Sequence, residues 1–324
     1  MFLATALLII GLLLVVYSAD RLVFAASILC RLIGMPPMII GMTVVSVGTS
    51  LPEIIVSVSA SLHGQVDLAI GTGLGSNIVN ILLILGLAAL LHPFRVHSDV
   101  LRRELPLMLI VSLLAGCVLY DGVLSVGDGI FLLALAVVWL FYSVKIASLA
   151  EKQGSDSLTR EHVAELPREG TLPVALLWLG VALIIMPMAT RMVVDNATVV
   201  ANFFAISELT IGLTVIAIGT GLPELATAIA GARKGEDDIA IGNLIGSNIF
   251  NIAIVLGLPA LIAPGSFNPM AFTRDYGVMV LVSALFALIC WRRKQIGRGI
   301  GGLLFGGFII WLAMLYWLSP LLTG

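Results

Sequence analysis

Glu53 and Glu224 each lie near the middle of a long apolar stretch, and each closes a short polar motif: G-T-S-L-P-E over 48–53 and G-T-G-L-P-E over 219–224. A second motif, G-S-N-I-x-N, follows at 75–80 and again at 246–251. An acidic side chain at the centre of a membrane helix costs about 2.5–3.5 kcal/mol on insertion scales, so two of them at matching places call for compensation. Helical geometry gathers the compensating groups. Thr49 and Glu53 are four residues apart and share a face, as do Thr220 and Glu224; Ser76 and Asn80 share a face of the next helix, as do Ser247 and Asn251. Pro52 has no N–H and its ring crowds the Gly48 carbonyl, which predicts release of that oxygen and of its neighbour at Val47; Pro223 does the same to Gly219. Two carboxylates, hydroxyls, amide oxygens and freed carbonyls are all hard donors. Calcium takes roughly 6–8 such oxygens in irregular geometry. Two carboxylates balance one divalent ion or two monovalent ones, and that equivalence is an electrostatic basis for exchange. The plainer alternative, protonated carboxyls bonded to neighbouring helices, leaves the other donors without a purpose.

No soft or nitrogen ligand stands near these motifs, which argues against zinc and copper. His63, His92, His97 and His162 all lie near expected loops, so a histidine proton relay is not indicated. Cys30, Cys117 and Cys290 have no metal spacing and read as buried, inert thiols. Gly71, Gly73 and Gly75 would also let helices pack closely, as small residues do in membrane bundles; their pairing with the glutamate motif in both halves favours an ion site. Trp311, Tyr316 and Trp317 read as interfacial anchors or core.

The two motif pairs belong to a larger duplication. Gly41 to Asn80 recurs without a gap at Gly212 to Asn251, at a constant offset of 171 residues, with eighteen of forty pairs identical. Duplicated, interrupted hydrophobic segments point to a transporter binding site. With 324 residues, 60% hydrophobic and 11% charged, the chain is an integral membrane protein. Ten helices are expected, near 3–23, 38–62, 67–91, 103–120, 126–148, 172–190, 204–231, 238–263, 276–291 and 299–319. The N-terminus has the apolar core and small-residue exit of a signal peptide at Tyr17-Ser18-Ala19, but its first cation is Arg21, so it reads as a retained helix. Asp20, Asp67, Asp121, Asp195 and Asp275 fall near expected helix ends, within reach of water. The net charge of −2 and the lack of a basic stripe give no sign of a nucleic-acid partner.

Charge placement orients the helices. Of the 17 Lys and Arg residues, all but Arg191 and Arg274 fall in odd-numbered loops, which the positive-inside rule makes cytoplasmic. Both termini are then periplasmic. The polar stretch from Glu151 to Gly170 splits the helices five and five, and an odd number per half forces opposite orientations. The expected fold is therefore all-α and membrane-integral, with ten transmembrane helices as two inverted five-helix repeats. Residues 1–150 form the first repeat, 151–171 a cytoplasmic linker loop and 172–324 the second.

These motifs resemble the α-repeats of the cation/calcium exchanger superfamily, specifically its sodium/calcium exchanger branch. The resemblance covers nearly the whole chain, which is also similar to a group of inner-membrane proteins of enteric bacteria. It implies a secondary-active antiporter of the bacterial inner membrane, not an enzyme, with calcium, sodium and the lipid bilayer as partners, no organic cofactor and a monomeric unit. It also implies a ligand set: Glu53 and Glu224 for both ions, Thr49 and Thr220, Ser76, Asn80, Ser247 and Asn251, carbonyls lent by Ser46 and Ala217, and the Ser50 hydroxyl. Two positions depart from the pattern. Gly221 stands where the first repeat has Ser50, and Asn251 stands where these exchangers commonly have Asp; both bear on the number of sodium ions and the net charge moved. In the family the first helix of each half slides across a rigid core, here 3–23 and 172–190. No regulatory domain lies within this sequence, so no calcium-sensor control is expected in it. Calcium/proton or monovalent cation/proton exchange on the same scaffold is the alternative. An intramembrane acid–base enzyme and a cation channel are the readings from other classes.

Overall fold

The computed structural model describes residues 1–32, 46–95, 99–152, 170–234, 237–292 and 295–318. In chain order its helices are α1 (Phe2–Leu32), α2 (Ser46–Thr49), α3 (Leu51–Leu62), α4 (Val66–Val79), α5 (Gly86–Leu91), α6 (Asp99–Leu119), α7 (Val126–Lys152), α8 (Leu172–Phe204), α9 (Glu208–Ile211), α10 (Ala217–Thr220), α11 (Leu222–Lys234), α12 (Asp237–Phe250), α13 (Gly257–Ile262), α14 (Gly277–Arg292) and α15 (Arg298–Leu318). Four π-helical segments carry the path between or into them. Asn80–Leu85 joins α4 to α5, Gly212–Ile216 joins α9 to α10, Asn251–Leu256 joins α12 to α13, and Ala271–Tyr276 leads into α14. The 171-residue offset holds for the elements as well: α4, its π segment and α5 map residue for residue onto α12, its π segment and α13.

Seven of these helical paths are long and apolar enough to cross a membrane, and the bent α9–α11 path makes an eighth. The expected spans 38–62 and 103–120 are represented by shorter apolar helices, Leu51–Leu62 and Glu104–Leu119. Residues 38–45, 153–169 and 319, to which helix and linker expectations also applied, lie outside the described residues, as do His97 and His162.

Several boundaries differ from expectation for physical reasons. α1 and α8 run well past the expected 23 and 190, so Arg21, Arg31 and Arg191 sit within helices, not in loops. No proline or glycine interrupts Arg21 to Arg31, and the Arg21 charge is accommodated in place. It pairs with Asp20 at 2.8 Å and lies over the Tyr17, Phe24 and Trp178 rings. Arg191 pairs with Asp195 one turn on at 3.6 Å, and α8 stops only at Ala205, whose φ of 52° gives a left-handed cap.

Asp275 is fully buried, contrary to its expected access to water; Arg274 beside it, at 2.7 Å, makes that burial tolerable. Glu104 and Asp237 are buried as well. Cys290 is buried as expected, but Cys117 is exposed on α6, where a weakly polar thiol suits an apolar-facing surface.

The all-α expectation misses four two-residue strands: β1 (Phe94–Arg95), β2 (Val123–Leu124), β3 (Gly265–Ser266) and β4 (Gln295–Ile296). β1 pairs antiparallel with β4, Phe94 opposite Ile296, and β2 with β3, Val123 opposite Ser266. Each pair takes one strand from each half of the chain.

Two apolar clusters result. The larger is built around α4, α12 and their π segments, with Ile78, Ile81, Leu85, Ile249, Leu256 and Phe286 among its members. The smaller packs α1 along α8, Leu8, Leu12 and Val15 against Val193, Val194 and Ala197, and meets the rest through Val56, Leu68 and Ile211.

Candidate functional site

Both glutamate motifs form a break in a helix. At Ser50 (φ −86°, ψ 3°) the chain leaves the helix for one residue between α2 and α3, and at Gly221 (φ −75°, ψ 5°) it does so between α10 and α11. The path turns by 43° at the second break. Pro52 and Pro223 set these breaks, since proline fits the first turn of a helix and supplies no N–H to the turn before. The Gly48 and Gly219 carbonyls thereby lose their helical donors. Glu53 and Glu224 fall in the first turns of α3 and α11, a position that favours a carboxylate. Each is only 1% exposed.

The breaks face the starts of two π segments. Asn80 and Asn251 are the first residues of theirs, and Ser76 and Ser247 lie one turn earlier. π segments often mark functional sites because they displace a backbone carbonyl from its usual partner.

Contacts cross between the halves. Ser50 Oγ donates to Ser247 Oγ at 3.0 Å and lies 3.4 Å from Glu224 Oε1, to which Ser247 Oγ donates at 3.3 Å. Thr49 Oγ1 donates to Asn243 Oδ1 at 3.0 Å. The Thr220 hydroxyl faces two acceptors, the Ile216 carbonyl at 3.0 Å and Glu53. The two glutamates lie close enough for the charge of one to act on the other. Asn80 Nδ2 donates to Asn248 Oδ1 at 3.3 Å. Ala217 is buried, and its carbonyl accepts from the Gly221 N–H at 3.1 Å. Ser46 opens α2, and its side chain lies outside the described residues.

The offset makes the site unequal. Ser50 ties Ser247 to Glu224, but its counterpart is Gly221, which has no hydroxyl to tie Ser76 to Glu53. Accordingly Ser76 Oγ is buried without a hydrogen-bond partner, where Ser247 Oγ has two; Glu53 Oε2 is buried without one as well. An added Cβ at Gly221 would lie 3.0 Å from the Ala217 carbonyl and 3.3 Å from Ile84 Cδ1, so the position is tight even for a small side chain.

Glu224 Oε2, Asn77 Oδ1, Asn80 Oδ1 and Asn251 Oδ1 are likewise buried and unpartnered. Buried polar atoms are normally paired, so six such atoms from the two motifs need an account. All six are oxygens, and a hard cation satisfies oxygens without needing an acceptor of its own. No group of three or more His, Cys, Asp or Glu side chains gathers among the described residues, so a cation held here takes mostly neutral oxygens. That donor set suits calcium or sodium.

Three polar groups escaped the sequence reading. Asn77 Nδ2 donates to the Asn248 carbonyl at 3.1 Å, bringing the middle asparagines of the two motifs together; their identity across the repeat was the available signal. Asn243 and Ser57 differ from their repeat counterparts Thr72 and Ala228, and only those differences marked them. Ser57 Oγ donates at 2.7 Å to the Val255 carbonyl within the opposite π segment. Ser57→Ala leaves that buried carbonyl short of a donor and is expected to cost about 1–3 kcal/mol, read as a lower melting temperature in detergent.

The family described as sodium/calcium exchanger protein matches residues 3–145 and again 174–317. The chain is 77% identical to the inner membrane protein YrbG of Escherichia coli (strain K12), covering 100% of both sequences. It is 29% identical to the sodium/calcium exchanger MaX1 of Methanosarcina acetivorans, over 96% of this chain and 98% of that one. Among solved structures it is similar to the sodium-calcium exchanger NCX_Mj soaked with 2.5 mM Na+ and 0.1 mM Ca2+, with a TM-score of 0.65, 31% identity and coverage of 97% of this chain and 98% of that one.

Proposed function

Because the chain belongs to the sodium/calcium exchanger protein family, a family of membrane transporters and not enzymes, we propose that it is a secondary-active antiporter that carries calcium and sodium through one shared site. The observation that carries this reading is the set of unpartnered buried oxygens around Glu53 and Glu224. The ligands are Glu53, Glu224, Thr49, Thr220, Ser50, Ser76, Ser247, Asn80 and Asn251, with carbonyls from Ser46 and Ala217. Either one calcium or two sodium ions offset the two carboxylates, so the loaded site is neutral with either cargo and the half-loaded site is not. A protein that cannot return empty or half-full without burying net charge is forced to exchange. Ser76 lies on the more open side of the site, since its counterpart Ser247 is already engaged by Ser50 and Glu224.

The architecture we assign is ten crossings in two inverted five-helix repeats, 1–150 and 172–324, joined by a cytoplasmic linker at 151–171, with both termini periplasmic. Strand pairing supports it. β1 and β4 follow the third and ninth crossings, β2 and β3 the fourth and eighth, so each pair joins connections on one membrane face. α1 and α8 pack along each other and meet the core through Val56, Leu68 and Ile211, which suits a pair of helices that slides as a unit over the core to open the site first to one side and then to the other.

Proteoliposomes test this directly. Calcium-45 uptake should require sodium inside the vesicles and fail when potassium replaces it. Uptake driven by internal acid alone would move the protein to proton-coupled exchange, and uptake without any counter-ion would make it a channel.

A further inference from the structure

We infer that a groove between α14 and α15 is a binding site for an anionic phospholipid, with an acyl chain along the groove and the headgroup at Arg292. The groove encloses about 720 Å³ and is walled by apolar side chains, Leu281 and Leu288 from α14 and Leu303 and Ile310 from α15 among them. Its floor is opened by Gly307, where a side chain would otherwise stand toward Leu82. Along α15 it runs from Ile300 to Met314, about 21 Å at 1.5 Å per residue. One leaflet of hydrocarbon is about 15 Å deep, so the groove takes the full length of one lipid tail.

The two ends differ in charge, and that difference selects the occupant. Arg292 closes one end as a lining residue. The β1–β4 pair sets Arg95 opposite Gln295, and Arg298 begins α15 three residues later, so three arginines belong to the connections at this end, with one carboxylate, Asp237, which accepts from the Arg95 N–H at 2.9 Å. Arg292 and Arg298 make no hydrogen bond or ion pair with another described residue. At the far end of α14 the nearby cation, Arg274, is already neutralised by Asp275 at 2.7 Å. Free cations at one mouth of an apolar slot suit a lipid phosphate, as basic pockets between membrane helices do. A zwitterionic lipid carries its own ammonium beside the phosphate and gains less.

Native mass spectrometry of the detergent-purified protein tests the assignment, because it reads bound lipid and not transport. Equal amounts of phosphatidylglycerol and phosphatidylcholine are added. The expected result is a retained phosphatidylglycerol adduct, reduced about fivefold by Arg292→Gln and also reduced by Leu303→Trp, which fills the groove and leaves the charges intact. Leu303 is 78% exposed, so that change does not threaten the fold. Equal retention of the two lipids, or an adduct indifferent to both substitutions, would overturn the proposal. So would a doubled mass with the adduct lost, which would make a second copy of the chain the occupant. Neither failure would touch the exchanger reading.

Discussion

Vesicles carrying Glu53→Gln or Glu224→Gln are expected to show calcium-45 uptake at least about a hundredfold below the parent, at unchanged protein incorporation. Each change keeps the side-chain volume and removes one negative charge and one anionic oxygen. Calcium in the altered site leaves a net positive charge near mid-membrane, and a charge there costs about 2.5–3.5 kcal/mol. That alone accounts for a loss of roughly two orders of magnitude in occupancy. The effect should be of the same order for both residues, because both are 1% exposed and neither has a cationic neighbour among the interactions of the site. Initial rates with sodium-loaded vesicles measure it. A variant that keeps more than a tenth of the parental rate would remove that glutamate from the ion site.

Gly75→Ala is expected to cost folded protein as well as transport. A Cβ on Gly75 would lie 2.5 Å from both the Cα and the carbonyl oxygen of Leu213. Gly71 meets the Leu209 carbonyl in the same way, and a Cβ on Gly212 would lie 2.5 Å from the Leu68 carbonyl. Here α4 and the α9–α10 path touch backbone to backbone. A side chain can rotate away from an intruding methyl; a main chain cannot, so the cost should reach or exceed the upper end of the usual overpacking range of about 1–3 kcal/mol. The same shift would pull Ser76 away from the break at Gly221. The comparison variant is Gly306→Ala in α15, where no described atom beyond the adjoining residues and the helix's own backbone lies within 4 Å of the added carbon; it should be neutral or stabilising by up to about 1 kcal/mol. Melting temperatures in one detergent decide the matter, and equal values for the two variants would defeat the argument. Gly71 and Gly75 thus act in packing, where their pairing with the glutamate motif had favoured an ion site; Ser247 of the second copy of the motif donates to Glu224.

Much of this was legible in the chain because it depends on local chemistry. Pro52 and Pro223 mark the helix breaks wherever they occur, and the repeat places Asn80 and Asn251 at the same point of the same element twice. What could not be read depends on which half touches which. The bonds of Ser50 to Ser247, Thr49 to Asn243 and Ser57 to Val255 all cross between halves, and no spacing along the sequence encodes them. The true lengths of α1 and α8 were hidden because charged residues signalled helix ends, whereas Arg21 finds an aspartate and three aromatic rings without leaving the helix. Asp275 was misplaced for a related reason: a neighbouring arginine lets an acid enter the protein interior. Two-residue strands are too short to carry any periodicity.

The strand pairs also set an order of assembly. Phe94 and Arg95 are synthesised early, yet the backbone groups they pair with belong to Gln295 and Ile296, near the end of the chain. β2 finds β3 sooner, since Gly265 and Ser266 precede β4. During translation the β2–β3 pair can therefore close first, and the β1–β4 pair only when the last strand has emerged. Long-range closures of this kind come late and leave incomplete chains exposed. A ribosome that stalls before β4 leaves β1 without its partner strand, so this closure waits until nearly the whole sequence has been made.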